Sequence, residues 1–215
     1  MTTTEKEPDA TDYQRVRSVI DRLCRDGFPL FGSDDSIYHD GSVDSVHRIS
    51  VSTAEGDALR KWILREKPSK TIEVGLAYGV SALHICEALL LSGVEDPLHV
   101  VLDPFQGKFA NCGLQLLEEA GVMSIVEHHN EISQIVLPSF LKEERKFDFG
   151  FIDGNHRFDS VFLDLFYLGR MVRKGGIIAL DDYDFPGIKK AVSFYVKNLN
   201  WKIEETSPPD IDEHA

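Results

Sequence analysis

The chain has 215 residues, 42% of them hydrophobic, and carries 36 acidic against 23 basic side chains, a formal net charge of −13. That length suits one domain with a full core, and the acidic balance argues against a general nucleic-acid binder, which needs clustered Lys and Arg. No apolar run approaches the ~20 residues of a membrane span, and the polar Met1–Ala10 does not read as a signal peptide, so the expected partner is a small molecule. The cysteines Cys24, Cys86 and Cys112 lie far apart on apolar helical patterns and read as free thiols in a reducing cytosol.

In chain order, residues 1–11 are polar and read as a frayed end. Tyr13, Val16, Ile20, Leu23 and Cys24 recur at three- and four-residue spacing, so Asp12–Asp26 is expected as an amphipathic helix stopped by Gly27. Phe28–Ser50 shows no period and reads as one long loop, whose Phe31, Tyr38, His39 and His47 are candidates to line a substrate pocket. Residues 1–51 are therefore expected as a lid or dimer contact ahead of a ligand-binding domain over 52–215. Ser52 or Thr53 caps a second helix with Leu59, Trp62 and Ile63 as its buried stripe, ended by Lys67-Pro68.

Strands and helices then alternate. Thr71–Gly75 is a strand and Val80–Leu91 a helix closed at Gly93; Leu98–Leu102 is a strand and Phe109–Ala120 a helix closed at Gly121. Ser124–His128 is a third strand, and Ser133–Lys142 a short helix interrupted by Pro138. Phe147–Ile152 is a strand, Val161–Val172 a helix and Gly176–Leu180 a strand; Ile188–Lys197 is a helix and Trp201–Glu205 a last strand. Five or six strands with helical crossovers predict an α/β, doubly wound, mostly parallel sheet.

The stretch Thr71-Ile-Glu-Val-Gly-Leu-Ala-Tyr-Gly-Val-Ser81 reads as a buried strand, a glycine-lined turn and a helix whose free N–H groups face a ligand. Its spacing, Glu73-x-Gly75-x-x-x-Gly79, is not the Gly-x-Gly-x-x-Gly of nicotinamide enzymes. A side chain at Gly79 is expected to enter the ligand's space. Ligands of open α/β sheets bind beyond the carboxyl ends of the strands, which here end in Glu73/Gly75, Asp103, His129/Asn130/Glu131, Asp153 and Asp181/Asp182. Asp103 suits a carboxylate that accepts hydrogen bonds from a ribose diol. Asp153, Asp181 and Asp182 end two strands expected to be neighbours, and three carboxylates so close are tolerated when a hard dication such as Mg²⁺ joins them. His156, on the turn after Asp153, is a candidate to remove a hydroxyl proton. His128 and His129 are taken as the end of a strand, not as ligands.

With these residues assembled, the chain resembles the class I S-adenosylmethionine-dependent methyltransferases over roughly residues 52–202. The matches are Glu73-Val-Gly75-Leu-Ala-Tyr-Gly79, Leu102-Asp103-Pro-Phe-Gln106, Phe147 to Asp153-Gly-Asn-His156, and Gly175 to Asp181-Asp182-Tyr183. The last two look like the metal-dependent O-methyltransferases, most of all the branch that includes macrolide-sugar O-methyltransferases. Catechol-type relatives carry Lys where His156 stands and Asp-Asn where Asp181-Asp182 stands. The resemblance implies an S-adenosylmethionine site built from Glu73, Gly75, Gly79, Ser81, Asp103, Asn130, Glu131 and Asp153. It also implies Mg²⁺ on Asp153, Asp181 and Asp182, with His156 as the base.

The expected activity is O-methyl transfer to a hydroxyl of a small molecule. The rival reading is a cofactor-binding protein without catalysis, a sensor or subunit. The family fold ends in an antiparallel hairpin, whereas here Ser207-Pro-Pro-Asp and an acidic tail follow Trp201–Glu205, so the last strand is expected to be missing or supplied otherwise.

Overall fold

Lys70–Val74 forms β1, the central strand of the computed structural model, which describes residues 10–27 and 42–206. Around it lie β2 (Leu98–Leu102), β3 (Val126–His129), β4 (Phe147–Ile152) and β5 (Val172–Leu180), all parallel, in the order β3-β2-β1-β4-β5. Such strands are buried on both faces, which is why β1, β2 and β4 read as near-continuous apolar runs. The sheet grows outward from β1 to β3 on one side, then restarts at β4 on the other. The crevice for a ligand in this topology lies at that reversal, between the carboxyl ends of β1 and β4. There a Cβ on Gly75 would stand 2.1 Å from the Asp153 carbonyl oxygen, so only glycine lets the two strand ends close up.

The two faces carry separate cores. One side chain set, with Val101, Phe149 and Phe151 from the sheet, packs under α1 (Ala10–Asp26), α3 (Thr53–Glu66), α4 (Val80–Ser92) and α5 (Cys112–Glu119). The other, with Ile72, Val74, Val100, Leu102 and Ile152, packs under α6 (Ser133–Lys142), α7 (Phe158–Met171) and α8 (Pro186–Leu199). Val16, Val19, Ile20 and Leu23 of α1 are buried in the first of these cores, and Arg17 donates from Nε to the buried Glu87 carboxylate at 2.9 Å. The N-terminal helix is therefore part of the core, not an appendage to it. All three cysteines are free thiols; burial pushes Cys112 up to about 12 and Cys86 higher still. Among the described residues no helix is long and apolar enough to cross a membrane.

Several elements differ from the sequence expectation. Val43–Ile49, expected within a loop, is the helix α2, tied to α1 where His47 Nε2 donates to the Cys24 carbonyl at 2.9 Å. Phe31, Tyr38 and His39, like residues 1–9 and 207–215, lie outside the described residues. The expected helix Phe109–Ala120 is two pieces, a 3₁₀ turn Gln106–Phe109 and α5, because Ala110 and Asn111 both take positive φ, 50° and 58°. Pro138 does not interrupt α6; it removes one backbone donor and the helix runs on to Lys142. β5 begins at Val172, which pairs with Phe147, while Ile177 pairs with Phe149, so Arg173–Gly176 bulges out.

Trp201–Glu205 is not a strand. Trp201 instead stacks on Tyr195 at 4.9 Å and fills the space over Gly169, where a Cβ would meet its ring at 2.4 Å. Glu205 then accepts from Lys61 Nζ at 2.9 Å and Trp62 Nε1 at 3.0 Å. The segment thus passes from the α7–α8 face to α3 on the opposite face instead of pairing with β5, its backbone committed by these two anchors.

Candidate active site

The turn between β1 and α4 is shaped by its backbone. Gly75, Ala77 and Gly79 have φ of 99°, 44° and 80°. Asp103, buried at the end of β2, holds this turn: its Oδ2 accepts from Leu76 N at 3.2 Å, Ala77 N at 3.0 Å and Gln106 Nε2 at 2.8 Å. Its Oδ1 accepts from Phe105 N at 2.6 Å. Gln106 Nε2 also lies 2.9 Å from the Ala77 carbonyl, leaving Gln106 Oε1 buried and without a partner. A Cβ on Gly79 would meet the Gly113 backbone at 3.1 Å, and its φ is 80°, so both the turn conformation and the approach of α5 require glycine here. α4 starts at Gly79 without a side-chain cap, and the N–H groups of a helix's first turn have no partner within the helix, the arrangement that favours a carboxylate or phosphate there.

Glu73, fully buried on β1, is held from behind. Ser81 Oγ donates to its Oε1 in a very short hydrogen bond, and His99 Nε2 lies 2.8 Å from its Oε2. Asn130 and Glu131 are exposed just beyond β3, the edge strand that neighbours β2. His128 Nε2 donates to the Asp103 carbonyl at 3.1 Å, a structural task.

Asp153, His156 and Asp182 converge: each offers one ligand atom, all within 4.8 Å of one another. Asp153 follows β4, His156 lies on the next turn and Asp182 follows β5, so the pairing of β4 with β5 brings the three together. His156 Nε2 stands 2.8 Å from Asp182 Oδ2, and its ring packs on Phe185 at 5.0 Å. Asp181 is outside this trio. Its Oδ1 accepts the Asp182 N–H at 2.8 Å, and its carboxyl faces that of Glu55. Glu55 escaped the sequence reading, although Ser52-x-x-Glu55 is the signature of a capping box, and both halves of the box form here. The helix start it fixes carries a further carboxylate into the site.

Burial, followed by the negative charges of Asp181, Glu73, Asp182 and Glu55, pushes the Asp153 carboxyl well above its usual range. Burial first, then Glu55, pushes Asp181 up to about 7. Excess negative charge at low dielectric, with two carboxylates and an imidazole in reach of a common point, fits a divalent cation. Asp153 and Asp182 would hold it, and His156 is in reach of the same point.

The family model for a methyltransferase domain matches residues 72–183. The caffeoyl-CoA O-methyltransferase of Stellaria longipes is 30% identical over 160 residues, 71% of this chain; the chain spans 63% of that relative's length. The fold matches the O-methyltransferase from Bacillus cereus solved in complex with SAH at a TM-score of 0.62, with 16% identity, covering 88% of this chain and 80% of that one. It also matches the O-methyltransferase TomG from Streptomyces achromogenes, solved with SAM, at 0.60 and 20% identity, covering 94% of this chain and 82% of the other.

Proposed function

The chain belongs to the methyltransferase domain family, and from that premise we propose that it is an S-adenosylmethionine-dependent, Mg²⁺-assisted O-methyltransferase acting on a hydroxyl of a small molecule. The observation that carries this reading is the convergence of Asp153, His156 and Asp182 beside the Gly75–Gly79 turn. When bound, S-adenosylmethionine supplies a methyl group on a cationic sulfur, and Mg²⁺ supplies a field that lowers the pKa of an adjacent hydroxyl.

The chain's own residues divide the remaining work. The turn from Gly75 to Gly79, Glu73, Ser81 and the free N–H groups of α4 would hold the cofactor, with Asp103 keeping the turn in shape. Because all its closest donors are backbone and Gln106, Asp103 in this reading organises the ribose side more than it reaches outward. Asp153 and Asp182 would hold the cation, with Asp181 and Glu55 behind them. His156 would take the acceptor's hydroxyl proton, and the Asp182 carboxylate at 2.8 Å would stabilise the imidazolium that results. Holding both reactants in line removes much of the entropic barrier of a bimolecular transfer.

The first turn of α3 borders this site through Glu55, so in this reading the segment 42–51 that leads into it lies toward the acceptor side of the crevice. Purified protein offered a panel of phenolic, sugar and polyketide hydroxyls, with a labelled methyl donor and Mg²⁺, should label one class. Binding of S-adenosylmethionine without transfer to any of them would favour the non-catalytic alternative.

A further inference from the structure

Behind Glu73 runs a second, wholly buried layer that the family motifs do not contain. His99 on β2 is directly opposite Thr71 on β1 in the parallel register, and both are completely enclosed. His99 Nδ1 lies 2.9 Å from Thr71 Oγ1, and Thr71 Oγ1 donates to the Leu98 carbonyl at 3.3 Å. The Thr71 hydroxyl thus has two partners, the His99 ring at Nδ1 and the Leu98 carbonyl. At the other end of the ring, Nε2 points at Glu73 Oε2 from 2.8 Å. Both ring nitrogens therefore have partners, and the imidazole is fixed in position and orientation at both ends. With Ser81 on Oε1 and His99 on Oε2, each oxygen of Glu73 receives one donor from inside the protein and keeps lone-pair capacity for a donor from outside.

We propose that His99, braced by Thr71, is a positioning residue that fixes the Glu73 carboxylate for the cationic methionine end of the cofactor. A carboxylate enclosed in a parallel sheet without such a partner would take up a proton or turn away. His99 holds the carboxylate in place without touching the ligand. This inference rests on the reading of Glu73 as a cofactor contact, which the experiment tests separately.

S-adenosylhomocysteine is titrated calorimetrically into the native protein and into Glu73→Gln, His99→Leu, Thr71→Val and Thr71→Ser, well below each melting midpoint. Thr71→Val is nearly isosteric and keeps the imidazole, so it reports even where His99→Leu does not fold. His99→Leu is expected to bind roughly 10- to 100-fold more weakly and Thr71→Val several-fold more weakly, since truncating one member of a buried network leaves the others unsatisfied. Thr71→Ser, which restores the hydroxyl, should bind like the native protein; a residue that only filled space would be rescued by Val better than by Ser. Glu73→Gln with native affinity would remove the cofactor contact and this inference with it. If Glu73→Gln loses binding while Thr71→Val, or a folded His99→Leu, stays within twofold of native, the cofactor contact survives and the positioning role is wrong.

Discussion

His156 Nε2 meets Asp182 Oδ2 at 2.8 Å, joining the turn after β4 to the turn after β5. The contact orients the imidazole over a point that Asp153 also reaches. If His156 is the base, His156→Ala should leave cofactor and cation binding intact yet slow the chemical step by roughly 10²–10⁴-fold. Raising the pH should restore part of the rate, because hydroxide can replace the lost base. Single-turnover rates between neutral and alkaline pH check this, and a native rate for the variant at neutral pH would remove His156 from the chemistry.

Loss of the cation should look different. Treatment with EDTA is expected to stop turnover and added Mg²⁺ to restore it, while Asp182→Ala should abolish both activity and Mg²⁺ binding measured by calorimetry. The first lesion stalls a filled site and the second empties it. Full turnover in EDTA would show that the acidic cluster serves another purpose.

The glycine turn gives a third expectation. Asp103 accepts four hydrogen bonds from the turn and its neighbours, so Asp103→Ala should free the Leu76 and Ala77 N–H groups and cost about 2–4 kcal/mol of stability. S-adenosylhomocysteine affinity should fall with it, by tenfold or more. Gly79→Val should also damage folding, through the positive φ and the Gly113 backbone 3.1 Å from its Cβ. Thermal melts with and without ligand separate the two effects; an Asp103→Ala protein with native melting behaviour would show that the turn stands without its support.

The parallel sheet was legible in the sequence because β1, β2 and β4 are short apolar runs bounded by polar turns, and a strand buried on both faces has no other appearance. The residues of the acidic cluster were legible because each closes a strand. What sequence spacing could not supply was their partition. Asp181 and Asp182 are adjacent, yet Asp182, with φ of 52°, turns toward His156 while Asp181 turns toward Glu55. Glu55 is distant in the chain and enters only through the capping of α3. His99 was invisible for a similar reason: one histidine in an apolar strand has meaning only once Glu73 and Thr71 are seen beside it. The last strand was misjudged because Trp201 and Ile203 alternate like strand residues, whereas Trp201 serves as a plug over Gly169 and Ile203 is exposed. The N-terminal helix was read as separable; with Val16 and Leu23 wholly buried, deleting residues 1–50 would strip the core.

A fourth expectation lies away from the site. Asp164, on α7, has its Oδ1 buried without a partner, and burial pushes its carboxyl up to about 6, against a hydrogen bond from Ser133 that lowers it. Near pH 8 the ionised form is therefore unfavourable by about 2–3 kcal/mol relative to an exposed carboxylate. Asp164→Asn, which keeps the shape and an acceptor for Ser133 without the charge, should raise the melting temperature most at pH 8, about half as much at pH 5, and little near pH 3. A variant less stable than the native protein at every one of these pH values would mean that the carboxylate has a partner it needs.

The last expectation concerns the acidic site as a whole. Asp181 is raised to about 7 from an ordinary carboxylate value near 4, and Asp153 is raised as well. Between about pH 4 and about pH 7 the folded protein therefore holds protons that the unfolded chain has already released. Stability from these groups must fall as pH rises through that window, by at most about 1.4 kcal/mol per pH unit for each group, and the Asp181 contribution levels off above it. This is opposite to the behaviour of salt-bridged carboxylates such as Glu127, whose value is lowered by Arg145. Asp181→Asn isolates the effect: in metal-free buffer its stability should lose part of the downward slope between pH 5 and pH 7. A cation bound by the cluster would favour the ionised carboxylates, so Mg²⁺ should stabilise the native protein more at pH 8 than at pH 5 and should release protons on binding, seen as a calorimetric enthalpy that depends on the buffer. Urea melts across this range, with and without Mg²⁺, read both predictions. Identical pH profiles for native protein and Asp181→Asn would show that the carboxylates are not crowded as the structure places them, and Mg²⁺ stabilisation independent of pH would place the cation elsewhere.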